Sequence, residues 1–189
     1  MREGRKADAS GQTAACVIRA ARDEDFPVCA AIKQSAAGLF GPDYRARPLA
    51  LTSFLNFNNI SCLMEILEID SEAAGYCLAK TIGEDFFLHH LFVSPVYGRR
   101  GAGTALLHHV IAEAGRRGLA AVTLLTGAKA PWNAPFYGRH GFRALPREAL
   151  PGYLAAGLVE DEENFAPHLD WVRNNPFILP RIAMKRDIA

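Results

Sequence analysis

Apolar positions along the chain switch between a period of two and a period near 3.6, and those switches mark its elements. Cys16 to Ala20 reads as a short first strand. It ends at the acidic turn Arg22-Asp23-Glu24-Asp25, where Asp23 or Asp25 could cap a helix with Val28, Cys29, Ile32 and Ala36 on one face. Gly38 to about Pro48 is rich in glycine, proline and arginine and reads as an irregular loop, followed by a less regular helix over Leu49 to Phe57. Ser61 to Ile69 and Ala73 to Ile82 are strands joined by the polar Asp70-Ser71-Glu72, which predicts an antiparallel hairpin. Phe86 to Val93, aromatic and β-branched, is a further strand, and Ser94-Pro95 ends it, because proline lacks the ladder donor.

The clearest helical period spans Thr104 to about Arg117, with Leu106, Leu107, Val110, Ile111 and Ala114 on one stripe and Gly118 as its stop. Ala121 to Leu125 follows as a buried strand. Strand, glycine turn, helix and strand in that order describe a βαβ-like unit with a parallel pair, so the sheet is mixed. A short helix around Pro135 to His140 and a strand near Phe142 to Leu145 come next, then a polar stretch from Arg147 to Pro180. Its acidic run Glu160-Asp161-Glu162-Glu163 reads as a solvated loop or helix face, or as an attractive rim for a cation. Arg181 to Met184 reads as an edge strand that could pair across a homodimer.

Composition narrows the class. With 189 residues the chain suits one domain, here 16–189, after a disordered leader over 1–15. Half the residues are hydrophobic and 22% charged, as in ordinary globular proteins. The net charge of +1 argues against nucleic acid as the main partner. No apolar run approaches the roughly 20 residues needed to cross a bilayer, which with the absent secretory signal suggests the cytoplasm. Cys16, Cys29, Cys62 and Cys77 form no C-x-x-C pair, so neither a metal knuckle nor a disulfide framework is expected.

Most of the chemistry lies in Val93-Ser94-Pro95-Val96-Tyr97-Gly98-Arg99-Arg100-Gly101-Ala102-Gly103-Thr104. Glycines and two arginines at a strand-to-helix junction make an anion site, because helix-start amides lack internal partners and the helix end carries partial positive charge. The dinucleotide fingerprint fails, with Leu106 where the third glycine belongs, and no lysine stands between Gly103 and Thr104 as a nucleotide P-loop requires. The alternative is that Gly101 and Gly103 only permit close helix-to-strand packing.

This segment resembles the acetyl-CoA signature of the GNAT superfamily, Arg/Gln-x-x-Gly-x-Gly/Ala after a strand ending in Val-x-Pro; Gly98 departs from it, standing where the family has Arg or Gln. A second stretch, Trp132-Asn133-Ala134-Pro135-Phe136-Tyr137-Gly138-Arg139-His140-Gly141-Phe142, is similar to the family's Asn-x-x-Phe-Tyr segment. The resemblance runs from about Val17 to Met184 and is weakest over 38–59 and 147–180. It implies an α/β (α+β) fold with a largely antiparallel, twisted sheet of six to seven strands, a splayed parallel pair and flanking helices.

It further implies an N-acetyltransferase that moves acetyl from acetyl-CoA to a primary amine, without a metal. Leu91, Phe92 and Val93 would offer the backbone edge to the pantetheine arm. The pyrophosphate would rest on Arg99, Arg100, Gly101, Ala102, Gly103 and Thr104, with Asn133 and Phe136 against the arm. Asn133 at the start of a short helix would alternatively serve as an N-cap. Tyr137 would protonate the leaving thiolate. His89 and His90 are candidate bases or water anchors, of which strand alternation would leave one facing the acceptor. Glu65 and Asp85 are further candidates, whereas His108 and His109 belong to the amphipathic helix. The acceptor pocket would draw on 38–59 and the tail, with Tyr44, Phe54, Phe57, Phe165 and Trp171 as wall or core. A rival from another class is an acyl-CoA-binding sensor that has lost turnover.

Overall fold

The computed structural model describes residues 16–41, 62–165, 177 and 179–188. Strands β1 (Cys16–Ala20), β2 (Cys62–Ile69), β3 (Glu72–Ile82), β4 (Asp85–Val93), β5 (Ala121–Gly127), β6 (Arg143–Ala144) and β7 (Arg181–Asp187) form one sheet in the order β1-β2-β3-β4-β5-β7-β6. Among the described residues only β4 and β5 pair in parallel, and every other neighbour is antiparallel. The helices are α1 (Phe26–Ala37), α2 (Ala102–Arg116), α3 (Ala134–Arg139) and α4 (Gly152–Phe165). The expected helix over Leu49 to Phe57 and the leader lie outside the described residues, as do Tyr44, Phe54, Phe57 and Trp171.

The β2–β3 hairpin turns on Asp70 (φ 53) and Ser71 (φ 67). Two consecutive positive φ angles give the turn whose twist matches its strands, so β3 begins at Glu72. Two expectations change. The polar stretch after Arg147 contains α4, which buries Leu154 and Leu158 one turn apart and carries the acidic run on its flank. Arg181 to Met184 is not an edge: β7 lies between β5 and β6, and its pairing with β5 runs from Arg181↔Gly127 to Asp187↔Ala121. The dimer expected from an exposed β7 edge loses that basis.

The larger core fills the side of the sheet covered by α2, with Leu106, Leu107 and Val110 against Leu67, Cys77, Phe86 and Leu88, and α3 packs onto its margin through Phe136 and Tyr137. A smaller cluster joins Cys29 and Ile32 of α1 to Ile66 and Tyr76 on the opposite face. The alternation along β4 inverts midway. Leu78 pairs with His90 but Ala79 pairs with Leu88, so His89 is an extra residue opposite the β3 ladder. Such a bulge puts two successive side chains on one side and bends its strand. Phe86 and Leu88 therefore join the α2 core, while Phe92 packs with the α1 cluster.

Strand β1 is tied to the start of α1 by charge. Asp25 accepts from Arg19 Nη1 (2.7 Å), Arg19 Nη2 (2.9 Å) and the Arg22 amide (2.7 Å), and Arg19 Nε donates to Glu68 (2.8 Å). Asp25 occupies the N-cap position of α1, yet its carboxylate is spent on Arg19 and the turn rather than on helix amides. The Arg19 hydrogen bonds hold its pKa down to about 2, against the desolvation that opposes them. Because the folded value lies below the unfolded ~3.9, the contribution is present above that value and is lost as pH falls through the folded one. Asp25→Asn is expected to cost about 1–2 kcal/mol at pH 7 in a denaturant titration, with the gap to wild type narrowing below pH ~4 and closing near pH ~2.

Candidate active site

The register of β4 with β5 ends at Leu88↔Leu124, although β5 continues to Gly127. Beyond it the strands part, and a cleft of about 710 Å³ opens between His89, Leu91, Phe92 and Val93 on one side and Leu125 and Thr126 on the other. It reaches both faces of the sheet: Lys33, Ala36 and Ala37 of α1 line one end, and Gly103 and Thr104 of α2 with Phe136, Tyr137 and Arg139 of α3 line the other. A volume of this order holds an elongated ligand rather than a few waters.

The turn after β4 is pinned on both sides. The Ser94 amide donates to Ala74 O (2.8 Å), and Tyr97 Oη donates to Glu72 (2.6 Å). Helix α2 starts at Ala102, two residues before the helical pattern suggests, with Gly101 as N-cap at φ 86. That left-handed conformation favours glycine. The first helical bond is Ala105 N to Gly101 O (2.9 Å), which leaves the amides of Ala102, Gly103 and Thr104 without acceptors inside the helix. A Cβ built at Gly101 would meet nothing within 4 Å, and the nearest atoms to one at Gly103, from Phe136, Val93 and Leu91, lie at 3.7 to 3.9 Å, an ordinary van der Waals contact. Close packing therefore does not demand either glycine; Gly101 answers to its φ, and Gly103 keeps the backbone bare beside the cleft. Arg99, at φ 61, also lines the cleft, whereas Arg100 stacks on Tyr97 (5.6 Å) and Ala102 is buried, neither among the lining side chains.

Asn133 stands at the N-cap of α3, but its side chain makes no cap hydrogen bond and it lines the cleft. Tyr137 lines the cleft between the rings of Phe136 (5.1 Å) and Phe142 (5.6 Å), and its hydroxyl has no hydrogen-bond partner among the described residues. Desolvation pushes that phenol up to about 12, against the opposing charge of Arg181.

The two histidines do not divide between faces as simple alternation suggests. The bulge sets their rings side by side at 4.5 Å, and of the two only His89 lines the cleft. His90 is buried with Nδ1 3.3 Å from Tyr76 Oη. Desolvation, then Lys33, Lys80 and Arg181, hold His89 down to about 4; desolvation, His89 and Lys33 hold His90 well below its ordinary range. The other candidate bases lie elsewhere. Asp85 sits at the closed end of the β4–β5 pair and accepts from Tyr153 Oη (2.8 Å), whose oxygen is also 2.8 Å from Thr123 Oγ1. Glu65 pairs with His109 of α2 at 3.4 Å.

Five contributing residues were missed by the sequence pattern. Lys33 interrupts the apolar face of α1 at Cys29 plus four, which was a readable signal. Arg181 opens β7, and its Nη2 donates to Leu125 O (3.1 Å) at the mouth of the split. Phe40 and Trp132 stack edge-to-face at 5.7 Å across the cleft wall. Gly75 of β3 has no room for a side chain: its Cβ would lie 2.7 Å from Phe92 O and 3.2 Å from Leu106. It thereby lets the open part of β4 lie flat on β3. Because Asn133 caps nothing, Asn133→Ala is expected to leave stability within about 0.5 kcal/mol in chemical unfolding, where loss of a working cap costs about 1 kcal/mol.

Residues 29–142 match the sequence profile of the Acetyltransferase (GNAT) family. Similar solved structures agree on the fold. The ribosomal-protein-S18-alanine N-acetyltransferase from Escherichia coli is 21% identical over 93% of this chain and 95% of its own, with a TM-score of 0.68. The PaiA N-acetyltransferase from Thermoplasma acidophilum, in complex with coenzyme A, is 16% identical over 92% and 99%, at 0.67. Ard1 from Thermoplasma volcanium is 12% identical over 92% and 98%, at 0.65. A mixed seven-stranded sheet split at its one parallel pair, a glycine turn opening α2 at that split, and a profile match over more than half its length together make this chain a member of the GNAT acetyltransferase family.

Proposed function

We propose that this protein is a cytoplasmic N-acetyltransferase that moves the acetyl group of acetyl-CoA to a primary amine by direct attack. The observation that carries this reading is the split between β4 and β5, which lies beside the bare amides of Ala102, Gly103 and Thr104 at one end and beside the unengaged hydroxyl of Tyr137 within. The pyrophosphate would rest on those amides and Arg99, and the pantetheine arm would follow the edge of Leu91 to Val93 past Asn133 and Phe136. Neutral R–NH2 attacks the thioester carbon, the C–S bond breaks, nitrogen gives up a proton and sulfur gains one, leaving the amide and free coenzyme A.

Tyr137 fits the sulfur end of that exchange as a donor. At a pKa of about 12 it is protonated throughout the working range. Full transfer to a thiolate of ordinary pKa ~8.5 would be uphill by about 5 kcal/mol, more than an ordinary phenol would need. A thiolate in the same dry cleft is raised as well, which narrows the gap. Its strongest contribution is a hydrogen bond to the charge that develops on sulfur.

His89 fits a different role from that of base. Desolvation and the surrounding cations lower the His89 imidazole, which makes it a poor acceptor for the proton of an ammonium. The same cations that depress it also depress a bound ammonium, so the acceptor enters as the free amine. That deprotonation costs about 5 kcal/mol at pH 7 for an ordinary alkylamine.

A free-thiol release assay over a panel of amines, with calorimetric titration of acetyl-CoA, tests the reading. Amine-dependent release supports it; binding without release from any amine would favour the sensor. Tyr137→Phe is expected to lower kcat about 100-fold while acetyl-CoA affinity stays within about twofold. Unchanged kcat would remove the donor role. The logarithm of kcat/KM is expected to rise with unit slope from pH 6 toward the pKa of the acceptor amine itself. A plateau beginning near pH 7, unmoved when the amine is changed, would instead reveal an enzymic base.

A further inference from the structure

Four cleft-lining residues carry cationic side chains, Lys33, Arg99, Arg139 and Arg181, and among the described residues no carboxylate lines it. These cations separate into two sets. Arg99 and Arg139 stand on the α2 and α3 side, with the helix-start amides. Lys33 belongs to α1 on the opposite face, beside His89, and Arg181 lies across the split against Leu125. Lys33 reaches Phe92 from the α1 face, whereas the helix-start amides lie on the α2 face, so a coenzyme phosphate seated on those amides stands across the sheet from Lys33.

The Lys33 ammonium lies 5.9 Å above the Phe92 ring, and no ion pair or hydrogen bond satisfies it among the described residues. Burial lowers its pKa, the mark of a charge held without compensation. A half-buried cation facing a cleft is costly unless an anion joins it there. Arg181 lines the same cleft and, like Lys33, acts electrostatically on His89. Its Nε is 3.2 Å from Asp161 Oδ2 and its Nη2 is bonded to Leu125 O, while Nη1 has no partner among the described residues. Asp161 offsets one of the two positive charges, so the pair presents a net charge of about one, which matches a carboxylate better than a dianionic phosphate.

We propose that the acceptor is an amine that also bears a carboxylate, an amino acid or its like, seated by that carboxylate on Lys33 and Arg181 with its amino group directed past His89 into the split. This rests on the acetyl-transfer reading and names its substrate class. The edge-to-face rings of Phe40 and Trp132 leave an apolar wall beside this end, suited to the carbon skeleton of such a molecule.

The test compares matched pairs, each free amino acid with its carboxamide, by thiol release from acetyl-CoA, with rates normalised to the free-amine fraction. Wild type is expected to favour the acid in kcat/KM by about tenfold or more, the scale of a charge-assisted hydrogen bond. Lys33→Met is expected to collapse that ratio toward one. The variant should fold, since it removes an uncompensated charge and keeps the stem that packs on Phe92; acetyl-CoA titration checks that its cleft is intact. Equal or better use of the carboxamides by wild type, or a Lys33→Met defect equal for both members of each pair, overturns the proposal. Should no amine of either kind release thiol, the transfer reading falls. Calorimetry of acid against carboxamide on the coenzyme-loaded protein then decides the carboxylate site separately: acid-selective, Lys33-dependent heat upholds it, and its absence overturns it.

Discussion

Everything that gives this protein a site follows from one extra residue in one strand. His89 has no counterpart of its own in the β3 ladder, and β4 parts from β5 immediately before it, after Leu88. A bulge raises local twist and bends the strand that carries it, so the parallel pairing that holds from Asp85 to Leu88 cannot be sustained farther along. The same irregularity exchanges the faces: Leu91 and Val93 turn toward α2 and help to support the start of that helix, while His90 and Phe92 turn toward α1. The closed end needs an anchor against this divergence. Tyr153 supplies one by bridging Asp85 of β4 and Thr123 of β5.

Because the split passes through the sheet, its two ends meet different surroundings. One is made of backbone, where a short run of amides at the start of α2 waits for acceptors and two glycines keep side chains away. The other is made of side chains from α1, β4 and β7, apolar at Phe40 and Trp132 and cationic at Lys33 and Arg181. Between them stands Tyr137, whose hydroxyl desolvation keeps protonated. Desolvation first, and the cationic end after it, disfavour a proton on the nearby imidazoles.

Much of the fold was legible because burial and period agree. β1 has the bounds that its pattern gives, and β2, β3, β4 and α2 differ by one or two residues at an end. Where they disagree, the pattern fails. Among the described side chains of α4 only Leu154 and Leu158 are buried, a stripe too narrow to stand out among Glu160, Asp161 and Glu162. The position of β7 depends on a two-residue partner, Arg143 and Ala144, that no periodicity can reveal. The bulge was equally invisible, since consecutive histidines fit either register. For the site, the glycine turn and the Asn133–Tyr137 segment were readable as local motifs. Lys33 and Arg181, about 150 residues apart in sequence, are brought to one cleft only by the way α1 and β7 flank the split.

Whether acetyl-CoA binds in the opening between β4 and β5 can be read from amide hydrogen exchange with and without the coenzyme. Slowed exchange is expected at Leu91 to Val93 and at Arg99 to Thr104, with β1 and β2 unaffected. Binding that leaves those amides as they were, or that protects another part of the molecule instead, would contradict it.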